Sequence, residues 1–441
     1  MEAEDNRQLQ SARTKKALAS SLYALNFSKS YFHEAKERAK QGEPYILTNV
    51  GVPVEIMHAM DLLAYPQNLN FSALIAAKQM APRYLNVLNE RGYFRDLCRY
   101  CSLPLGCYWD PNQDDAPWGG MPKPTALVVE QGDDPIIRIW ELMAKQFDVP
   151  LYIYYHTMIA DPPPKGLWQK AFLEKNDIIE KYSYQEEWRL DYAIKETENL
   201  ISFLETVTGR SLCSKKLKEV MDRSTEQFDY IAKAMELAAP APAIMGMGDH
   251  MAHLIGTQFF RGHEFGLEVA RMLYEELKER RQEGMAICDD ERIRLMYLWV
   301  PNWFTPAFYD YFADKYGAVF CWLGYLPIIT HGLVRRNTSD PLKALASRYV
   351  HYGELGNTPW WTESHLAEAK KWKIDGAVYP IAESCKFLCG PMLLTKRALE
   401  ESGVPTLNIV SDMVDPRDWD EAKMIAIYSN FIETLIQRKT A

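Results

Sequence analysis

Apolar residues recur along the chain with two alternating periods. Near the start, Leu18, Leu22, Leu25 and Phe27 sit among Lys, Glu and Ala, so the spacing predicts a helix within 10–42. YILTNVGVP (45–53) is a short apolar run ending in a Gly/Pro turn and reads as a buried strand. VPVEIMHAMDLLAYP follows, with Ile56, Ala59, Leu62 and Leu63 at helical spacing. TALVVEQG (125–132) reads as a strand, DDPIIRIWELMAKQF (133–147) as a helix with acids at its start, and PLYIYYH (150–156) as a strand.

The middle of the chain loses this alternation. DPPP (161–164) interrupts it, and from Tyr184 to about Ala239 the pattern is helical, with Leu190, Ile194, Leu200, Ile201 and Leu204 on one face. PAPAIMGMGDHMAHLIG (240–256) reads as a small-residue loop, and 263–283 as a helix. The last third alternates again. RLMYLWVP (294–301), GAVFCWL (317–323), DGAVYPIAES (375–384) and TLNIVSD (406–412) read as strands. Helices are expected over 306–316, 362–373, 390–403 and from about Trp419. Strand–helix alternation of this length implies parallel sheets. The expected fold is α/β: two Rossmann-like parallel-sheet domains (45–180 and 286–441), an N-terminal helical segment (1–44) and a helical linking region (181–285).

Composition adds exclusions. Fifty basic and 59 acidic residues give a formal net charge of −9, which argues against a protein held to nucleic acid by a basic surface. The first residues, MEAEDNRQLQSARTKK, carry no apolar secretory core. YGAVFCWLGYLPIITHGLV (316–334) lacks acids, Lys and Arg, but Pro327, His331 and three glycines favour a buried strand and loop over a membrane span. The expectation is a cytoplasmic protein without membrane or nucleic-acid partners.

Eight cysteines in 441 residues are too sparse for a disulfide scaffold. Cys213, Cys288 and Cys321 are isolated and read as core thiols. The other five cluster: Cys98, Cys101 and Cys107 in DLCRYCSLPLGCYWDP, and Cys385 and Cys389 after the strand of 375–384. The first cluster reads as a Pro/Gly-interrupted loop ahead of a strand. In α/β folds such loops build active sites. The spacings suit thiolate ligation of either zinc or an iron–sulfur centre.

Several segments together resemble the benzoyl-CoA reductase and 2-hydroxyacyl-CoA dehydratase family, in particular its cluster-bearing subunits. They are VPVEIMHAMDLLAYP, LCRYCSLPLG, LETVTGRSLCSKKLKEVM, DGAVYPIAESCKFLCG, and GVPTLNIVSDMVDPRDW with its Asp412, Asp415 and Arg417. The resemblance spans about 45–435. It implies a [4Fe–4S] cluster held by three cysteines, the first and last matching Cys98 and Cys385. The middle one is expected just after TALVVEQG, where this sequence has Gly132. Cys101, Cys107 or Cys389 would then supply the third thiolate, or the cluster is differently ligated or absent.

The resemblance also implies an aryl-CoA or acyl-CoA thioester substrate and one-electron reduction of its carbonyl. A homologous second cluster-bearing subunit and an ATP-hydrolysing iron–sulfur activator are the implied partners. The chain itself has no G-x-x-x-x-G-K-[ST] phosphate loop, so ATP is expected on the partner. The insert CYWDPNQDDAPWGGMPKP (107–124) is more similar to the reductase branch, making an ATP-dependent aryl-CoA reductase subunit the leading expectation. A radical 2-hydroxyacyl-CoA dehydratase subunit and a cluster-free structural or substrate-binding subunit are the alternatives. Glu383, beside Ser384 and Cys385, and His250 are the candidate catalytic groups. Trp360 and Trp361 are candidates for a substrate pocket. Glu55, His58, His253 and His331 read more simply as structural or solvated residues.

Overall fold

The computed structural model describes residues 16–66, 70–93, 96–132, 134–157, 187–327, 338–354 and 358–441. Eight strands form two four-stranded, all-parallel sheets. The first contains β1 (Tyr45–Thr48), β2 (Leu63–Pro66), β3 (Ala126–Glu130) and β4 (Leu151–Tyr154), in the order β2-β1-β3-β4. The second contains β5 (Ile293–Tyr297), β6 (Ala318–Leu323), β7 (Gly376–Ile381) and β8 (Thr406–Val410), in the order β6-β5-β7-β8. β1, β3, β5 and β6 are buried along their whole length. That is why they read as continuous apolar runs rather than alternating ones.

The α/β reading with two Rossmann-like sheets holds, and four local expectations change. Leu62 and Leu63 do not extend a helix. Helix Val54–Ala59 stops, Asp61 turns the chain at φ +54°, and Leu63–Pro66 becomes edge strand β2. Its closing Pro66 is tolerated because an edge strand has a side without ladder partners. Residues 98–109 are not a loop either. Arg99–Trp109 is a helix running through Pro104, with Cys98 as its N-cap. Gly106 serves this helix rather than breaking it. A Cβ there would lie 2.5 Å from the Tyr84 carbonyl oxygen, so glycine permits close packing on helix Ala81–Glu90. The supposed loop of 240–256 contains helix Met247–Leu254, continued by a π-helical turn, Ile255–Phe259. Helix 390–403 begins earlier, at Lys386, with Cys385 as its N-cap.

Helices lock the two sheets together. Helix Ala19–Lys40 is anchored at its N-terminus by Glu276, which accepts from Ala19 N (2.8 Å) and Ser20 N (2.9 Å). An acid there complements the helix dipole. Helix Pro341–Glu354 packs Ala344, Leu345 and Tyr349 into the core of the first sheet, although it lies in sequence between strands of the second. Residues 161–164 and His331 lie outside the described residues. The apolar stretch of 316–334 contains β6, and no helix among the described residues is long and apolar enough to cross a membrane.

Candidate functional site: a crevice between two parallel sheets

In the first sheet the chain runs from β1 outward to β2 and then crosses to β3 on the other side of β1. The second sheet repeats this, reversing between β5 and β7. Open parallel sheets bind ligands beyond the carboxyl ends of the strands at such reversals. The residues that follow these strands therefore define where chemistry belongs.

At the first reversal, Asn49 and Gly51 follow β1, and Glu130 and Gly132 close β3. Asn49 Oδ1 accepts from Glu130 N (3.1 Å), and the Glu130 carboxylate accepts from Gly51 N (3.0 Å). At the second, Trp299 follows β5 and Cys385 follows β7, and both line a cleft closed by Ser411 and Met413 beyond β8. Cys98 and Cys385 are each the N-cap of a helix, where backbone N–H groups without helical partners receive anions.

A chain of polar contacts joins the two cysteine segments. Arg99, beside Cys98, approaches Asp412 Oδ2 at 3.5 Å and Asp415 Oδ2 at 3.1 Å. Ser384, beside Cys385, donates to the same Asp412 oxygen at 2.6 Å. The other Asp412 oxygen accepts from Val414 N and Asp415 N at 3.0 and 3.1 Å, fixing the turn after β8. Arg417 clamps Asp415 with bonds of 2.8 and 2.7 Å and donates to Asn86 Oδ1 at 3.0 Å, back on the first unit. Arg99, Asp412 and Asp415 are all buried, so these bonds are shielded from water and salt.

Aromatic side chains wall the same junction. Tyr93 is pushed up to about 12 by burial, with Cys101 and Cys98 adding to the effect. Burial pushes Tyr100 well above its ordinary value, with Tyr325, Cys101 and Cys98 contributing. Burial does the same to Tyr325, with help from Cys385 and Tyr309. Tyr100 and Tyr325 thus stand between the two cysteine segments as protonated phenols. Tyr325 is 3% exposed, and its hydroxyl has no hydrogen-bond partner among the described residues. Buried hydroxyls are ordinarily satisfied, so this donor is free for a bound group. Trp303 lies against Tyr325 with rings 6.3 Å apart and 20° from parallel, and Trp299 packs edge-on to Trp361 at 4.5 Å.

The sequence-derived candidates separate clearly. Cys98 and Cys101 share the first turn of one helix, and Cys385 lies across the junction. Helix formation carries Cys107 away: nine residues at 1.5 Å rise put it about 13 Å from Cys98 along the axis. There it packs beside Tyr84, its thiol pushed up to about 12 by burial. Glu383 is exposed on the turn before Ser384. His250 is buried in helix Met247–Leu254, donates from Nε2 to the Cys321 carbonyl at 3.0 Å, and is lowered to about 4 by burial. That places it as a wedge beneath β6. Trp361 is buried in the aromatic wall, while the side chains of Trp360 and Cys389 lie outside the described ones. Glu55, His58 and His253 are embedded in internal hydrogen bonds. Arg99, Tyr100, Tyr325 and Trp303 escaped the sequence reading. Only the adjacency of Arg99 and Tyr100 to Cys98 hinted at them.

Of the candidate thiolates, Cys98, Cys101 and Cys385 lie at the junction, and the side chain of Cys389 lies outside the described ones. Among them, no three His, Cys, Asp or Glu side chains gather as a metal-holding group. Packing does not force glycine at 132: an added Cβ would meet Glu130 Oε1 at 3.5 Å and Ile136 at 3.9 Å, ordinary contacts. The missing thiol is therefore a difference in chemistry rather than in space.

The fold is that of a two-sheet, doubly wound α/β protein, with a cleft at the switch point of the second sheet and a polar chain joining its two cysteine-bearing helices. Residues 49–435 match the model of the 2-hydroxyglutaryl-CoA dehydratase, D-component family, and the chain belongs to that family. It is 24% identical to the (R)-2-hydroxyisocaproyl-CoA dehydratase alpha subunit of Clostridioides difficile, over 92% of this chain and 94% of that one. It is 23% identical to the (R)-phenyllactyl-CoA dehydratase alpha subunit of Clostridium sporogenes, over 92% and 93%. A benzoyl-CoA reductase subunit from Thauera aromatica is 24% identical, over 80% and 79%. An enzyme subunit of the 2-hydroxyacyl-CoA dehydratase and benzoyl-CoA reductase type is thereby supported.

Proposed function

We propose that this chain is the thioester-binding subunit of a cytoplasmic enzyme that reduces the carbonyl of an acyl-CoA or aryl-CoA thioester by one electron. It works beside a related, cluster-bearing subunit and an ATP-hydrolysing iron–sulfur activator. The observation that carries this reading is the Arg99–Asp412–Ser384 chain, which ties the segments of Cys98 and Cys385 together. The replacement of the third thiol position by Gly132 supports a binding role for this chain, with the electron-carrying centre on the partner.

In this reading Tyr325, whose hydroxyl has no partner among the described residues, donates to the thioester oxygen as negative charge develops there. Preorganised donors in a water-poor site stabilise such charge strongly. Trp299, Trp303 and Trp361 keep water away. The dehydratase alternative takes support from the dehydratase relatives, which match 92% of the chain. The reductase alternative takes support from the insert of 107–124, which places Trp118 in the wall of an apolar cavity.

The test is an anaerobic assay of the assembled complex with ATP, a low-potential reductant and either (R)-2-hydroxyacyl-CoA or aryl-CoA thioesters. Turnover of one class is expected, and Tyr325→Phe should reduce kcat by roughly 10²-fold. A complex that neither binds nor converts any CoA thioester would overturn the reading.

A further inference from the structure

The cleft beside Cys385, at the switch point of the second sheet, measures about 20 Å³, room for one water and not for a thioester. Of the described residues that line it, Leu298, Val300, Cys385, Met392 and Met413 are buried. Pro380, Ala382 and Ser411 reach solvent but are small. Trp299 is the one large side chain among them at the solvent edge, and it is partly buried.

The backbone at Trp299 is out of the ordinary. Its φ is +89°, while the other described non-glycine residues with positive φ, Asp61, Gln79, Trp118, Asp148 and Lys373, lie between +50° and +60°, in the left-handed well. A bulky residue at +89° is strained, and such strain persists only where the surroundings impose it. Here both flanks are pinned. Leu298 N donates to the Val378 carbonyl at 2.9 Å. Asn302 Nδ2 donates to Ser411 Oγ at 2.6 Å and to the Asp412 carbonyl at 2.8 Å. The indole packs edge-on to buried Trp361 at 4.5 Å and to buried Tyr325 at 6.1 Å. One strained residue costs about what two such ring contacts gain, so neither dominates. An equilibrium balanced this way keeps its second form as a minor state, roughly 0.1–10% of molecules.

We propose that Trp299 is the gate of this cleft. Rotation to a negative φ releases the strain, carries the indole out of its slot against Trp361 and Tyr325, and opens the way to Cys385. The inference rests on the thioester reading above for what enters, and adds the residue that controls entry.

Labelling of the purified full chain with N-ethylmaleimide, read at each cysteine by peptide mass spectrometry, tests the gate. Cys321, wholly buried in β6, is the internal control. In the wild type Cys385 should react roughly tenfold or more faster than Cys321, because local opening exposes it. Trp299→Gly adopts the left-handed backbone without strain and removes the ring. It should speed Cys385 by roughly a further tenfold and leave Cys321 unchanged. Trp299→Phe keeps a smaller ring in the slot and guards against a glycine variant that fails to fold. It should speed Cys385 by roughly threefold. Stopped-flow association of acetyl-CoA with the same chains should speed in parallel. Equal wild-type rates at Cys385 and Cys321, no change at Cys385 in the folded variants, or a matching acceleration at Cys321 would each overturn the gate. So would acetyl-CoA binding at a rate that ignores both variants. Thiol labelling that responds as expected, with no acetyl-CoA bound, would instead keep the gate and remove the thioester reading.

Discussion

Replacing Glu55 by alanine should destabilise the protein by roughly 3–5 kcal/mol, the range for stripping one partner from a buried ion pair. Glu55 is fully buried at the start of helix Val54–Ala59. One carboxylate oxygen accepts from Arg348 Nη1 at 2.7 Å and Arg261 Nε at 3.3 Å. The other accepts from Tyr349 Oη at 2.9 Å. Arg261 also donates to the Val52 carbonyl at 2.7 Å. Burial pushes the Glu55 carboxyl up, but the guanidinium charges of Arg261 and Arg348 outweigh burial and hold it below the ordinary value. Removing it leaves two buried cations facing each other. The loss is a large fraction of a typical total of about 5–15 kcal/mol. Urea unfolding at pH 7.5 measures it, and a loss below about 1 kcal/mol would contradict the assigned role.

Acid should unfold the protein near pH 5. Burial lowers His58 and His253 to about 3, and His156, His250 and His365 to about 4. In the unfolded chain they titrate near 6.5. Their folded values are depressed, so between about 6.5 and 4 the unfolded state binds protons that the folded state refuses. Their contribution to stability is full above pH 6.5 and falls as pH drops through that window. Asp249 opposes this: burial raises it to about 6, so the folded state holds one proton there that the unfolded chain lacks. The balance near pH 5 is an uptake of about four protons on unfolding, or about 5 kcal/mol per pH unit. That is comparable to the whole stability of a typical protein. Urea midpoints at pH 7.5, 6.5 and 5.5 should fall steeply below 6.5. Equal midpoints would show that these imidazoles are not buried as described.

Much of the fold was legible because buried parallel strands announce themselves as uninterrupted apolar runs between helical patterns. β1, β3, β5, β6 and most of β7 were read this way, and the edge strands β4 and β8, only partly buried, from their place between helical patterns. β2 was not, because Leu62 and Leu63 continue a helical spacing that only the Asp61 turn breaks. Helix Arg99–Trp109 was hidden by Pro104 and Gly106. Both look like breakers, yet Gly106 exists to let Tyr84 approach. Helix Met247–Leu254 was hidden by the small residues around it. At the site, the cysteines and Asp412 could be named from the sequence, but their convergence could not. It depends on Arg99 reaching from one sheet to acids beyond the other, and no local pattern encodes that contact. The orphaned Tyr325 hydroxyl is equally invisible in sequence. It lies in an apolar stretch, and only the fold shows that no described residue answers it.

In the proposed complex this chain supplies the thioester site and its partner the electron-carrying cluster. Iron and acid-labile sulfide, measured on each subunit separated from the anaerobically purified complex, test this most directly. Less than about one iron is expected on this chain, and about four iron and four sulfide on the related partner. About four of each on this chain, lost on Cys98→Ser or Cys385→Ser, would contradict it.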